Sequence, residues 1–429
     1  MVPSKKEIVG LKKIGLLELT FYAIGLILGA GIYVIIGKAA GLAGNSLWLS
    51  FLLGAVIASL SGLSFAELSS MFPKASSIYS YMKGAFEREV FSFLVAWLYL
   101  CSGIIGAATV ISGFSYYFKA ITGIPLLITS LALLSLLSFF NFLGIRESAI
   151  LNLIFTLIEI SGLLIVIIAG LPKIWEVNLL KSPYGIYGIL AATSIAFFAY
   201  LGFEGIVTLS EEVYNARINV PKALLISLLV TSLLYILTGV SCVSLVHWKK
   251  LAESNAPLAY AISATLGKTS YFLLSVIALF ATFNTALTLL ISTSRMLYGL
   301  ACERIMPSFL AEIHAKRGTP SYAIFAISLA TLPFLFLPDI KFLASLTNFS
   351  AFLIFCLANI SVIILRIKKP ELERPFKVPL SIRNIPIPSV LGFLTSLLLL
   401  FHLEMNSILA GAVFLLLGFI IYKALKSLM

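Results

Sequence analysis

Charged residues are scarce: Asp, Glu, Lys and Arg make up 11% of the 429 residues, against about a quarter of a soluble domain. Histidine occurs three times and cysteine four times. His247, His314 and His402 stand apart, and Cys101, Cys242, Cys302 and Cys356 fall inside or at the ends of apolar runs without a CxxC pair. These scarcities exclude a disulfide scaffold and leave no metal site, cofactor motif or catalytic cluster to point to an enzyme. The cysteines are read as small buried hydrophobes. The net charge of +12 does not mark a nucleic-acid binder, because the basic residues sit in short connections and not on one face. What fills the sequence instead is apolar side chain, 60% of it, with a mean hydropathy of +1.07. Apolar runs of about 20 residues, the length that crosses a bilayer, recur along the whole chain. The sequence predicts an all-α integral membrane protein.

Breaking the chain at charges, prolines and glycine clusters gives twelve predicted spans, at 16–42, 47–70, 90–118, 125–143, 147–170, 186–213, 222–246, 269–298, 321–337, 343–365, 387–403 and 407–426. Each must be helical, since an unpaired backbone group in hydrocarbon costs several kcal/mol. The short alternating segments of an outer-membrane barrel are absent. With the N-terminus inside, 22 of the 30 Lys and Arg fall on the cytoplasmic side, among them Lys5, Lys6, Lys12, Lys13 and Arg146, and eight on the other. This predicts a multi-pass protein of the cell membrane with both termini cytoplasmic. The apolar run after the basic N-terminus is too long for a signal peptide and lacks a small-residue cleavage site. No soluble domain is expected at either end.

Two spans are interrupted by glycine near mid-membrane. The first reads Gly25-Leu26-Ile27-Leu28-Gly29-Ala30-Gly31-Ile32-Tyr33, and the sixth reads Phe198-Ala199-Tyr200-Leu201-Gly202-Phe203-Glu204-Gly205. Either alone is compatible with close helix packing through small residues. Their positions, as the first members of two successive groups of five, point instead to a transporter site at a repeat interface. Unwinding there frees amides that favour an anion and carbonyls that favour a cation. An α-amino acid carries both.

Several motifs accompany these breaks: Phe65-Ala66-Glu67-Leu68, Phe72-Pro73-Lys74-Ala75, Tyr79-Ser80-Tyr81, Asn141-Phe142-Leu143-Gly144 and Ser294-Arg295-Met296-Leu297-Tyr298. With Gly29-Ala30-Gly31-Ile32 and Gly202-Phe203-Glu204, they make residues 10–310 resemble the amino acid–polyamine–organocation transporter superfamily. Ala216, where that family usually has proline, and Ser76-Ser77, where it has glycines, depart from the pattern in connecting loops. The resemblance implies a five-plus-five inverted repeat of the LeuT-like kind with helices 1 and 6 discontinuous. Residues 1–15 would be the cytoplasmic N-terminus, 16–170 and 186–365 the two repeats, 366–386 a basic loop, and 387–426 two helices outside the core. It also implies carriage of amino acids by alternating access. Gly29, Ala30, Gly31 and Ile32 would offer amides to the substrate carboxylate, and carbonyls near Ala23, Ile24, Ala199 and Gly202 would receive its ammonium group. Phe198 would be the gate closing over the substrate.

Glu159, at the centre of the fifth span, is a functional hypothesis by default, because a carboxylate there costs roughly 2.5–3.5 kcal/mol on insertion scales. Protonated, it can donate to a free carbonyl of the first-span break; deprotonated, it would repel that carbonyl. Proton coupling, sodium ligation and a neutral packing role are all open to it. In the eighth span Thr282 and Thr285 are candidates beside it for the coupling ion, although helical threonines usually bond back to their own carbonyls. Glu204 has three readings: proton relay, holding the break through amides, or recognition of a cationic side chain. Glu67 is read as a snorkelling or structurally paired acid, and Glu211, Glu212 and Arg217 as a cytoplasmic gate or a loop ion-pair network whose exposed pairs are each weak. Ser102, Gly103 and Gly106 of the third span either leave room beside the substrate or let helices approach. The 366–386 stretch either touches anionic lipid or simply connects. The expected partners are an amino acid, a coupling proton or sodium ion, and membrane lipid, with no nucleic acid. The alternatives to symport are amino acid exchange, a cationic amino acid or polyamine carrier and, in a different class, a non-transporting nutrient sensor.

Overall fold

The structure, a computed structural model, describes residues 14–428 apart from 75 and 338, and the backbone alone at 30, 145–151 and 428. Lys5, Lys6, Lys12 and Lys13, and the side chains of Ala30 and Arg146, therefore lie outside the described residues. Fifteen helices run in order: α1 Leu16–Ala43, α2 Leu47–Met71, α3 Ser77–Phe86, α4 Glu89–Thr122, α5 Leu126–Leu143, α6 Ile145–Gly170, α7 Gly185–Ala196, α8 Ala216–Leu245, α9 Trp248–Glu253, α10 Pro257–Leu266, α11 Lys268–Cys302, α12 Ser321–Thr331, α13 Ile340–Lys368, α14 Ile387–Phe401 and α15 Met405–Leu428. A two-residue antiparallel pair, β1 Ser381–Ile382 with β2 Ile385–Pro386, sits in the loop before α14.

Among the described residues, nine segments are long and apolar enough to cross a membrane. The sequence predicts twelve, and the differences have physical causes. Leu16–Met71 counts as one run because only a single tight turn, Gly44–Ser46, separates α1 from α2. Gly44 makes that turn at φ +63. A side chain there would be strained and would also run into Pro183. Ser321–Phe336 and Ile387–Phe401 are shorter helices, set off by Pro333 at a 3-10 turn and by Pro386 and Pro388 at the start of α14.

α1 lies at the centre, packed against α6, α7, α8 and α11. α2 packs on α8, α4 on α11 and α13, while α14 and α15 lie outside on α13, α2 and α4. The apolar window of the α1–α2 run is 88% buried and that of α15 only 17%, which separates a core helix from one turned outward to lipid. Inside the core, polar groups satisfy themselves locally. Thr109 and Ser115, for example, donate to the carbonyls one turn back at 2.8 and 2.9 Å. Cys101, Cys242 and Cys356 are buried as expected, whereas Cys302 is exposed at the end of α11.

Glu67 does not snorkel. Its carboxylate, 1% exposed, accepts from Arg366 Nε at 2.9 Å and Nη2 at 2.5 Å, and from the Val378 amide at 2.8 Å. Arg374 Nε lies 3.3 Å away, and its Nη2 donates to the carbonyls of Leu365 and Lys369, both at 2.9 Å. The 366–386 stretch is thus anchored at Arg366, Arg374 and Val378, while most of its other residues stay exposed. Two of its six basic residues close on Glu67, and Lys369 pairs with Glu87 at 2.6 Å.

Candidate functional site

Both predicted breaks are present. α1 is non-helical at Gly29 (φ −34, ψ −126). α7 ends at Ala196, tightens into a 3-10 turn over Phe197–Tyr200, extends at Leu201 and turns at Gly202, where φ is +117. A Cβ at Gly202 would stand 2.8 Å from the Leu26 carbonyl oxygen of α1, so conformation and close approach both require glycine.

Each glycine of the α1 break meets a different neighbour. A side chain at Gly31 would strike the Ala199 backbone of the sixth segment, and one at Gly29 would strike the Thr285 side chain of α11. One at Gly25 would strike Thr156 of α6. A tyrosine joins the two breaks from α8. The Tyr235 hydroxyl, fully buried, lies 2.5 Å from the Ile27 carbonyl oxygen and 2.9 Å from that of Ala199. The Ala199 carbonyl, expected to receive an ammonium group, thus shares one hydroxyl hydrogen with the carbonyl of Ile27.

A cavity of about 30 Å³ opens where the breaks meet. Of the predicted site residues, Gly31, Phe198, Gly202, Glu204 and Thr285 line it, joined by Leu26, Tyr99, Gly106, Val110, Leu289 and Thr347 among others. Ala23, Ile24, Gly29, Ile32 and Ala199 sit in the surrounding backbone and do not line it. Glu204 Oε2 accepts from the Gly202 amide at 3.0 Å across the turn, the contact that the second of its three readings calls for.

Glu159 and Thr282 lie apart from the cavity. The carboxyl of Glu159 is fully buried, and Asn284 of α11 donates to its Oε1 at 3.1 Å. Asn152 Nδ2 in turn donates to Asn284 Oδ1 at 3.1 Å, and Thr156 reaches Asn152 at 3.5 Å. This polar cluster packs on Gly25, so α6, α11 and α1 meet there. The expected bond from Glu159 to a carbonyl of the α1 break is replaced by the Asn284 contact, and its Oε2 has no hydrogen-bond partner among the described residues. Thr282 and Thr285 bond back to Ala278 and Ala281 at 2.7 and 3.1 Å. No group of three His, Cys, Asp or Glu that could hold a metal ion occurs among the described residues.

The ion pairs expected among Glu211, Glu212 and Arg217 take other partners. Glu212 pairs with Arg295 of α11 at 2.5 Å and Arg217 with Glu373 at 2.8 Å. Backbone bonds reinforce the first: the Ile14 amide donates to the Glu212 carbonyl at 2.9 Å and the Tyr214 amide to the Ile14 carbonyl at 3.0 Å. The start of α1 is thereby stitched to the end of the sixth segment.

With two broken helices crossing at a cavity inside a mostly apolar bundle, comparison with known sequences decides the family. The model of the amino acid permease family matches residues 14–421. The chain belongs to the amino acid permease family. It is thus a multi-pass membrane transporter, and the sequence resemblance to the amino acid–polyamine–organocation superfamily holds over nearly the whole permease. It is 26% identical to a branched-chain amino acid permease of Bacillus subtilis, over 96% of this chain and 92% of that one. It is 28% identical to a methylthioribose transporter of the same organism, over 84% and 83%. To the human cationic amino acid transporter 4 it is 29% identical, over 82% of this chain and 59% of that longer protein.

The sequence reading missed Tyr235, Asn284 as the partner of Glu159, and Leu26 beside Gly202. A tyrosine within an apolar run is a usable signal, because its hydroxyl must find a partner in hydrocarbon. Its partner is not visible in sequence.

Proposed function

We propose that this permease carries amino acids across the cell membrane by alternating access, as a proton-coupled symporter. Its spans number twelve once the α1–α2 run is divided at Gly44 and the two short helices are counted. They form two inverted five-helix repeats with both termini in the cytoplasm, α14 and α15 lying outside. The observation that carries this reading is the meeting of two broken helices at one cavity, each break held by glycine against the other. Backbone amides and carbonyls freed by such breaks complement a carboxylate and an ammonium group. Two of the three relatives, the branched-chain amino acid permease and the cationic amino acid transporter 4, are named for amino acids.

Glu159 supports coupling to protons. Among the described residues no cation stands beside the carboxyl of Glu159, which is buried with Asn284, Asn152 and Thr156, and a carboxylate buried without one is costly. On loading from outside it carries the proton; on opening to the cytoplasm its O–H bond breaks and water takes the proton away. The test is uptake of a labelled amino acid panel into proteoliposomes under an inward proton gradient, an inward sodium gradient, or matched internal amino acid. Accumulation driven by protons alone and lost in Glu159→Gln is the expected result. Uptake that needs only internal amino acid and survives Glu159→Gln establishes an exchanger instead.

A further inference from the structure

Five glycines line the cavity: Gly31, Gly103, Gly106, Gly202 and Gly205. Four have packing reasons to be glycine. An added Cβ would strike Ala199 at Gly31 and Thr293 at Gly103, and would come within 3.0 Å of Leu26 at Gly202 and Gly205. Gly106 differs. A Cβ there would meet only the Thr347 Cγ2 at 3.5 Å and the Leu289 Cδ1 at 3.7 Å, both ordinary contact distances. Glycine weakens the middle of a helix relative to alanine, and at this position in α4 no close backbone approach explains it. What it leaves is space.

The walls of that space are apolar. The Thr347 hydroxyl donates back to the Leu343 carbonyl at 2.9 Å, which leaves its methyl facing Gly106. Leu289 supplies another methyl, and Val110 lies one helical turn beyond Gly106 on α4. None of these offers a charge or a free hydrogen-bonding group to a substrate side chain.

We infer that Gly106, with Thr347 and Leu289, forms the side-chain subsite and sets its size, and that the substrate is an amino acid with a short, uncharged aliphatic side chain. This rests on the reading that the cavity binds an amino acid. In the Gly106→Ala variant the added methyl occupies the space the substrate side chain needs. One methylene in such a pocket discriminates roughly 10- to 200-fold.

The test is uptake of labelled glycine, alanine, valine, leucine and lysine into proteoliposomes, compared as kcat/KM ratios within each variant. In wild type, alanine and valine are expected to be preferred to lysine. In Gly106→Ala the valine-to-glycine ratio is expected to fall at least about tenfold. Thr347→Ser removes the facing methyl while keeping the hydroxyl. It is expected to raise the leucine-to-alanine ratio alone and to restore valine when combined with Gly106→Ala. Should Gly106→Ala prove poorly folded by size-exclusion chromatography, the Thr347→Ser ratio decides on its own. Wild-type uptake of amino acids with ratios unmoved by either variant overturns the subsite, and a preference for lysine overturns the substrate class. Wild-type vesicles that take up no amino acid at all overturn the transport reading, and this inference with it.

Discussion

Replacing Tyr235 with phenylalanine removes one oxygen from the place where the two broken helices touch. The ring remains, with its packing on Phe51 and Tyr200 at centroid distances of 5.8 and 5.2 Å, so little is lost to cavity formation. What goes is the donor shared by the carbonyls of Ile27 and Ala199. A hydroxyl has one hydrogen, so the pair of contacts counts as about one bond. Leaving buried acceptors short of it costs about 1–3 kcal/mol. If the bond exists only while the breaks are drawn together, that range converts to roughly a 5- to 150-fold shift in the equilibrium between conformations. Two measurements read this out. Thermal unfolding in detergent, followed by size-exclusion chromatography with fluorescence detection, should show lower stability for Tyr235→Phe. Initial uptake rates should fall while the protein remains monodisperse. A variant matching wild type in both refutes the view that this hydroxyl couples the two helices.

Other expectations follow from the geometry. Gly31→Ala should abolish uptake, because its methyl collides with the Ala199 backbone; near-normal transport would mean the two segments are more loosely packed than described. Glu67→Ala leaves two buried guanidinium groups without their acid and should destabilise by about 3–5 kcal/mol, with faster tryptic cleavage in residues 366–386. A variant whose cleavage is unchanged would show that the loop holds itself. Lys369, through its hydrogen bond and then its charge, holds the carboxyl of Glu87 below its ordinary value of 4.5. Because the folded-state value is the lower one, the pair's contribution is present above about 4.5 and disappears as pH falls through the depressed value. Thermal melts should therefore show no contribution from this pair to pH dependence between pH 5.5 and 8. Glu87→Gln should differ from wild type in its pH dependence only at more acid pH.

The helical class and both breaks were legible in the sequence, because hydrocarbon imposes helices and glycine at mid-span has few purposes. Gly25, Gly29 and Gly31 could be recognised as a cluster, but not that each answers a different neighbour. Partnerships were the blind spot. Tyr235 stands 208 residues from Ile27, and Asn284 stands 125 from Glu159, distances over which spacing carries no contact information. Glu67 showed the same limit: the sequence left snorkelling and a structural pair both open, and only the fold names Arg366 as the partner. The two short spans, read at 321–337 and 387–403, agree to within two residues with the helical stretches Ser321–Phe336 and Ile387–Phe401. Gly106 looked like its neighbour Gly103 on the page, and only the atoms facing each separate packing from space.

The pairing of Glu67 with Arg366 also has a time axis. The two are 299 residues apart, and at about 5–20 residues per second a ribosome needs roughly 15–60 s to travel from one to the other. For that interval α2 carries an acid whose guanidinium partners have not been made. The nascent chain must hold it neutral, hydrated or at the membrane surface until α13 arrives. The last stretch of synthesis thus completes the second helix, and a chain stopped before Arg366 would leave a defect near its beginning for quality-control proteases to find.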